Sequence, residues 1–188
     1  MPNYVVIARF DDDKTTQLMN LRNSLEKAGY LNAISEWPPH ITIAAYEDIN
    51  IDALLAWTED FIKQHSVTPV ALVSLNILPP GGEHNKTAVL CAAPSPTRAF
   101  TDFYYDFHLK LDEYCGNLGF FYTAKCDGPV FHSTIGVFEI AKIQKALETV
   151  FTSGILGVAT VTALEVYTYP MKLIKRFELK QRQTKSKT

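Results

Sequence analysis

Two stretches of this chain, far apart in sequence, can be laid directly over each other. His40-Ile41-Thr42-Ile43-Ala44-Ala45-Tyr46-Glu47 matches His132-Ser133-Thr134-Ile135-Gly136-Val137-Phe138-Glu139 at His, Thr, Ile and Glu, with Ala/Gly, Ala/Val and Tyr/Phe as near matches. A duplicated unit has to build the same local structure twice, so this self-similarity restricts the fold more than any single motif does. The flanking elements repeat in the same order. Tyr4 to Phe10 is a short β-branched run and predicts a strand, followed by Asp11-Asp12-Asp13 as capping residues. Leu18, Leu21, Leu25 and Ala28 recur at helical spacing over Thr15 to Ala28, with Gly29 placed to end the helix. Strand His40 to Tyr46, helix Ile51 to His65 and strand Val70 to Leu78 complete the first unit.

The second unit reads strand Thr87 to Ala93, helix Pro96 to Tyr114, strand Phe131 to Phe138, helix Lys142 to Phe151 and strand Val158 to Tyr169. Met171 to Lys180 offers one further strand. Each unit is therefore β-α-β-α-β, the first over roughly 1–80 and the second over roughly 85–170 of one domain, 1–180. Pro79-Pro80-Gly81-Gly82 predicts an exposed turn between them, and 181–188, with no apolar residue, predicts a solvated tail.

Composition excludes several function classes. Lys and Arg number 18 against 20 Asp and Glu, a net charge of −2, so no global cationic field draws in a long polyanion. Apolar runs are strand-length, short of the ~20 residues of a membrane span. Cys91, Cys115 and Cys126 are odd in number and lack Cys-x-x-Cys spacing, which argues against a disulfide framework or a zinc ribbon. With no basic leader before Val5-Val6-Ile7, a cytoplasmic protein is expected. There is no Gly-x-x-x-x-Gly-Lys loop and no Gly-x-Gly-x-x-Gly turn for a nucleotide cofactor.

Strand alternation places His40, Thr42, Ala44 and Tyr46 on one face and Ile41, Ile43 and Ala45 on the other, the isoleucine face being the core face. The same logic groups His132, Thr134, Gly136 and Phe138. An imidazole and a hydroxyl in line, twice over, suit phosphoryl transfer at a ribose hydroxyl. One neutral imidazole takes a proton from the attacking oxygen, and a second, protonated imidazole returns one to the leaving oxygen. Thr42 and Thr134 are donors for non-bridging phosphate oxygens. Two histidines and two threonines form a poor metal cage, so no metal and no other cofactor is expected.

The pair of motifs resembles the two-histidine (2H) phosphoesterases, the superfamily of 2′-5′ RNA ligase-like proteins and cyclic nucleotide phosphodiesterases. The Trp37-Pro38-Pro39 approach to His40 is similar as well, and the resemblance in element order covers nearly the whole chain. It implies an α+β fold of two pseudo-symmetric lobes, each an antiparallel sheet with flanking helices, around a central cleft where the motifs face each other. It implies metal-independent hydrolysis of 2′,3′-cyclic or 2′-linked ribonucleotide phosphates with His40 and His132 as acid and base. The alternatives are 2′,5′ ligation or cleavage at RNA ends, or a nucleotide-binding module with little turnover. The expected partner is a nucleotide or RNA-terminal phosphate, with no membrane and no obligate protein partner.

Other residues carry weaker expectations. Tyr46 and Phe138 either wall in a base or fill core. Glu47 and Glu139 stand where cations would favour RNA, which points to a small or terminal ester. Lys86, Arg98 and Lys125 are possible phosphate partners. His65 and His84 read as surface residues, and His108 as part of an aromatic core set with Phe103, Tyr104 and Phe107.

Overall fold

The computed structural model describes residues 3–33, 35–78, 86–126 and 129–181. The Pro79 to Gly82 turn, His84 and the tail beyond Gln181 lie outside the described residues. Strand β1 (Tyr4–Phe10) leads into helix α1 (Asp12–Lys27), whose first turn is capped by the Asp11 side chain accepting from the Lys14 amide. Gly29, at φ +69°, follows the helix end as its position suggested. Next come β2 (Leu31–Ala33), β3 (His40–Tyr46), α2 (Ile51–Gln64) and β4 (Thr68–Leu78). The second half runs β5 (Thr87–Pro94), α3 (Arg98–Phe107), β6 (Ser133–Glu139), α4 (Ile140–Thr152), β7 (Gly157–Thr168) and β8 (Lys172–Glu178).

Every ladder between these strands is antiparallel, and the strands follow the order β2-β6-β5-β4-β7-β1-β3, with β8 on β7. The architecture is α+β. The expected separate sheets are joined into one path where Thr68 to Leu72 of β4 pairs with Gly157 to Val161 of β7. The order also shows an exchange. The last strand of the first unit, β4, pairs with the first strand of the second, β5, while β7 of the second unit pairs with β1 of the first. Spatial groups are therefore not the sequence units 1–80 and 85–170. Motif strands β3 and β6 lie near opposite ends of the path, yet come into contact across the molecule.

Two differences from the sequence expectations have clear causes. Strand β2, three residues long on the edge of β6, is too short to show any alternation. The helix expected over Pro96 to Tyr114 stops at Phe107, and Leu111 turns to φ +67°. Both nitrogens of the His108 ring have hydrogen-bond partners off the helix, Asp112 Oδ1 at 2.5 Å and the Ile43 carbonyl at 2.9 Å. This tertiary claim on His108 overrides the aromatic periodicity. The segment continues as two short 3-10 turns, Asp112–Tyr114 and Phe120–Tyr122.

The main core packs α1, α2, α3 and α4 against one side of the strands, through Leu18, Leu25, Phe61, Phe103 and Val150 among others. A second, smaller apolar set, Val5, Ile7, Ala45 and Tyr167, floors the other side with Trp37, Leu118 and Tyr122 packed on it. Among the described residues no helix is long and apolar enough to cross a membrane.

Candidate active site

On that second side lies a cavity of about 310 Å³ lined by His40 and Thr42 from the first motif and His132 and Thr134 from the second. Val5, Ser35, Trp37, Ala45, Leu118, Tyr122 and Tyr169 complete its wall. The two motifs meet because β3 and β6 approach each other from far apart along the sheet path.

A bulge at the same place in each motif explains how the side chains are aimed. In β3, Thr42 pairs with Ile7 and Ala44 with Val6, leaving Ile43 as an extra residue. In β6, Thr134 pairs with Cys91 and Gly136 with Leu90, leaving Ile135 extra. One inserted residue reverses the alternation beyond it. His40 and Thr42 face the cleft, and after the bulge it is Ala45 that does so. Ala44 and Tyr46 join Ile41 and Ile43 in the core. The sequence grouping of Ala44 and Tyr46 with His40 is thus corrected. Tyr46 and Phe138 are each 0% exposed and are not among the residues lining this cleft; of their two readings, core packing is what the structure contains.

The histidines are held alike. His40 Nδ1 lies 2.6 Å from the Pro38 carbonyl and His132 Nδ1 2.7 Å from the Val130 carbonyl. A carbonyl only accepts, so each ring donates from Nδ1 and leaves Nε2 for chemistry. Trp37 packs on the His40 ring at 5.5 Å between centroids and on Tyr167 at 5.1 Å. Burial pushes the His40 imidazole down to about 4, opposed by the Pro38 carbonyl and assisted by the positive charges of Arg22, His132 and Arg9. His40 is therefore neutral near pH 7. Burial raises the Tyr122 phenol, partly offset by the Thr42 hydroxyl beside it. Thr134 Oγ1 has the Cys91 thiol at 3.9 Å, and burial pushes that thiol up to about 11.

The wall that carries Leu118 and Tyr122 is pinned to α3 and to the end of β3. Glu47, expected only as an unhelpful negative charge, accepts from the Leu118 amide at 2.6 Å. The Tyr104 hydroxyl donates to the Tyr122 carbonyl. Gly119 fits so closely that a Cβ there would stand 2.0 Å from the Ala45 carbonyl oxygen.

The remaining candidates fall elsewhere. Lys86, Arg98 and Lys125 are not among the cleft residues, and Arg98 is 94% exposed beside Asp102. His65 is not a plain surface residue: it caps α2 and stacks on Phe61 at 4.0 Å. His108 is core, at 4% exposure. Its grouping with Asp112 and Cys115 is the one set of metal-ligand type among the described residues, and hydrogen bonds within the group already join it. Sequence reasoning missed Leu118, Tyr122 and Tyr169, which reach the cleft from the segment around the Phe120–Tyr122 turn and from just beyond β7. It also passed over Arg22, whose only sign was a charge among apolar helix positions.

No protein-family model and no curated protein matches the sequence. Solved structures do. Escherichia coli LigT without ligand aligns over 96% of this chain and 98% of its own, at TM-score 0.56 and 11% identity. The chain has the LigT-like fold. Kluyveromyces marxianus Usb1 aligns over 95% of this chain and 98% of its own at TM-score 0.50 and 12% identity. LigT and Usb1 are both members of the two-histidine phosphoesterase superfamily. The LigT-like fold of this chain thus accompanies the motif resemblance. Further structures hold nucleotides: LigT with 3′-AMP, at TM-score 0.54 and 10% identity over 96% of this chain and 99% of its own, and Usb1 with uridine monophosphate.

Proposed function

We propose that this chain is a two-histidine phosphoesterase that hydrolyses a 2′,3′-cyclic or 2′-linked ribonucleotide phosphate without a metal. The observation that carries the reading is the matched pair of histidines, each tied through Nδ1 to the carbonyl two residues back, in a cleft shared with both threonines. The nucleotides bound to LigT and Usb1 support a nucleotide as the ligand class.

His40, held neutral, is suited to the base. Its Nε2 takes a proton from water as the water oxygen bonds to phosphorus. The bond from phosphorus to O3′ breaks, and His132, protonated at Nε2, gives its proton to O3′, leaving a 2′-phosphate. Hydroxyl donors from Thr42 and Thr134 hold the non-bridging oxygens as negative charge builds on them. Aromatic residues Trp37, Tyr122 and Tyr169 on the wall offer faces for a base.

The test is turnover of 2′,3′-cyclic nucleotides and a 2′,5′-linked dinucleotide in EDTA by wild type, His40→Ala and His132→Ala. Activity in EDTA that falls at least ~1,000-fold in either variant is expected, because the two groups act as one unit. Activity that survives both substitutions would sink the reading. The likeness to LigT, a 2′-5′ RNA ligase, carries a second reading, action on a 2′,5′ linkage. Preference for the dinucleotide over every cyclic substrate would select it.

A further inference from the structure

Two guanidinium groups act on the His40 ring, and they differ in how their charge is met. Arg9, paired opposite His40 in the β1–β3 ladder, is answered by the buried Glu165 carboxylate at 2.9 Å. Arg22 rises from α1 between the core leucines Leu21 and Leu25 and is 5% exposed. Its Nη1 donates to the Trp37 carbonyl at 2.7 Å and its Nη2 to the Thr134 carbonyl at 2.6 Å. Its Nε has no partner, and no carboxylate is within ion-pair reach, among the described residues. A buried charge without a counter-charge is costly, so a purely structural cross-link is better made by a neutral side chain.

The two carbonyls belong to the two motifs. Trp37 immediately precedes Pro38, whose own carbonyl holds His40 Nδ1, and Thr134 is the second threonine of the cleft. One rigid planar fork therefore joins the backbone that aims the first histidine to the backbone that carries the second threonine. We propose that Arg22 is a positioning residue: its guanidinium fixes the spacing between the His40 segment and Thr134, and its unmatched charge favours an anionic phosphoryl group in the cleft. This rests on the phosphoesterase reading above and adds to it a residue outside both motifs.

Arg22→Lys and Arg22→Met separate the two contributions. Lysine keeps the charge but cannot span both carbonyls, so kcat on a 2′,3′-cyclic nucleotide should fall at least ~10-fold, as a small misplacement of reacting groups costs up to ~100-fold. Methionine removes the charge too, and kcat should fall ~100-fold. In that variant the His40 ring, followed by NMR of the imidazole carbons, should titrate higher than in wild type, since one cation that disfavours the imidazolium is gone. The other groups facing the ring, Arg9 from β1, His132 ahead of β6 and the phenols of Tyr122 and Tyr169 on the cleft wall, are unchanged. A loosened fold alone would lower Tm without moving that titration upward in Met and not in Lys.

A folded Arg22→Met with an unmoved His40 titration overturns the inference, whether or not the wild type turns over any ester. If Arg22→Met does not fold, Arg22→Lys decides: wild-type kcat in that variant overturns it. Absence of wild-type turnover on the whole panel instead counts against the phosphoesterase reading, and the NMR titration then tests Arg22 by itself.

Discussion

The ring nitrogen that each histidine gives to a carbonyl decides which tautomer faces the cleft, and for His40 burial then sets the charge as well. For His40 the folded-state value, about 4, lies below the ordinary 6.5. In the base role proposed for it, it therefore stays active as pH falls, and the acid limb of kcat/KM is expected near pH 4. An acid limb far from pH 4 would take the base role away from His40. The same difference makes a stability statement. Between about 6.5 and 4 the unfolded chain takes up a proton at His40 that the folded chain refuses, so His40 makes stability fall as pH falls through that window. In urea melts, wild type should lose stability relative to His40→Gln as pH falls across it. A different residue-scale prediction follows from Tyr46. Its hydroxyl is buried with no hydrogen-bond partner among the described residues, so Tyr46→Phe should raise stability by about 1 kcal/mol. KM for a nucleotide should be unchanged, because the ring lies in the core. A rise in KM would return Tyr46 to the substrate.

Elements were legible in the sequence where local pattern and tertiary structure agree. Apart from β2 and the end of α3, the strand and helix order, a cap within Asp11 to Asp13 and the Gly29 terminator all follow from short-range chemistry. The paired motifs were legible as residue types at a fixed spacing. What lay hidden is the bulge at Ile43 and Ile135, since an inserted residue leaves no mark in a run of apolar side chains, yet it moves Tyr46 and Phe138 from cleft to core. The loop from Leu111 to Tyr122 was hidden too, because its course depends on distant partners: Glu47, Tyr104 and, through His108, the bulge itself. His108 joins the Ile43 carbonyl of β3 to Asp112 at the base of that loop. Replacing it by Ala takes the ring partner from the Ile43 carbonyl and leaves a cavity in the core, and a loss of about 3 kcal/mol is expected in urea melts. KM should rise as well, since Leu118 and Tyr122 are carried by the same loop. Unchanged KM in a folded His108→Ala would show that the loop keeps its course without this clamp.

At the scale of the whole molecule the duplication and the fold divide the chain differently. The two units read from the sequence divide between β4 and β5, but hydrogen bonding makes β4 the neighbour of β5 and gives β7 to β1. Each sequence unit thus places its last strand in the other's half of the sheet, and the cleft forms only when both motif strands are brought together. A fragment covering residues 1–80 would leave β4 without β5 and β7, and β1 without β7, exposing the strand edges that normally pair. Such edges and the uncovered core side of Leu72 and Val6 cannot be buried by the fragment's own helices alone. The fragment is therefore expected to show no cooperative thermal transition by circular dichroism, and the same for residues 85–188. Mixing the two should restore both the transition and turnover of the cyclic nucleotide, because every ladder of the exchange forms between the fragments. A fragment 1–80 that melted cooperatively by itself would mean that the first unit can close its own sheet, and that the exchange of β4 and β7 is not needed to hold it.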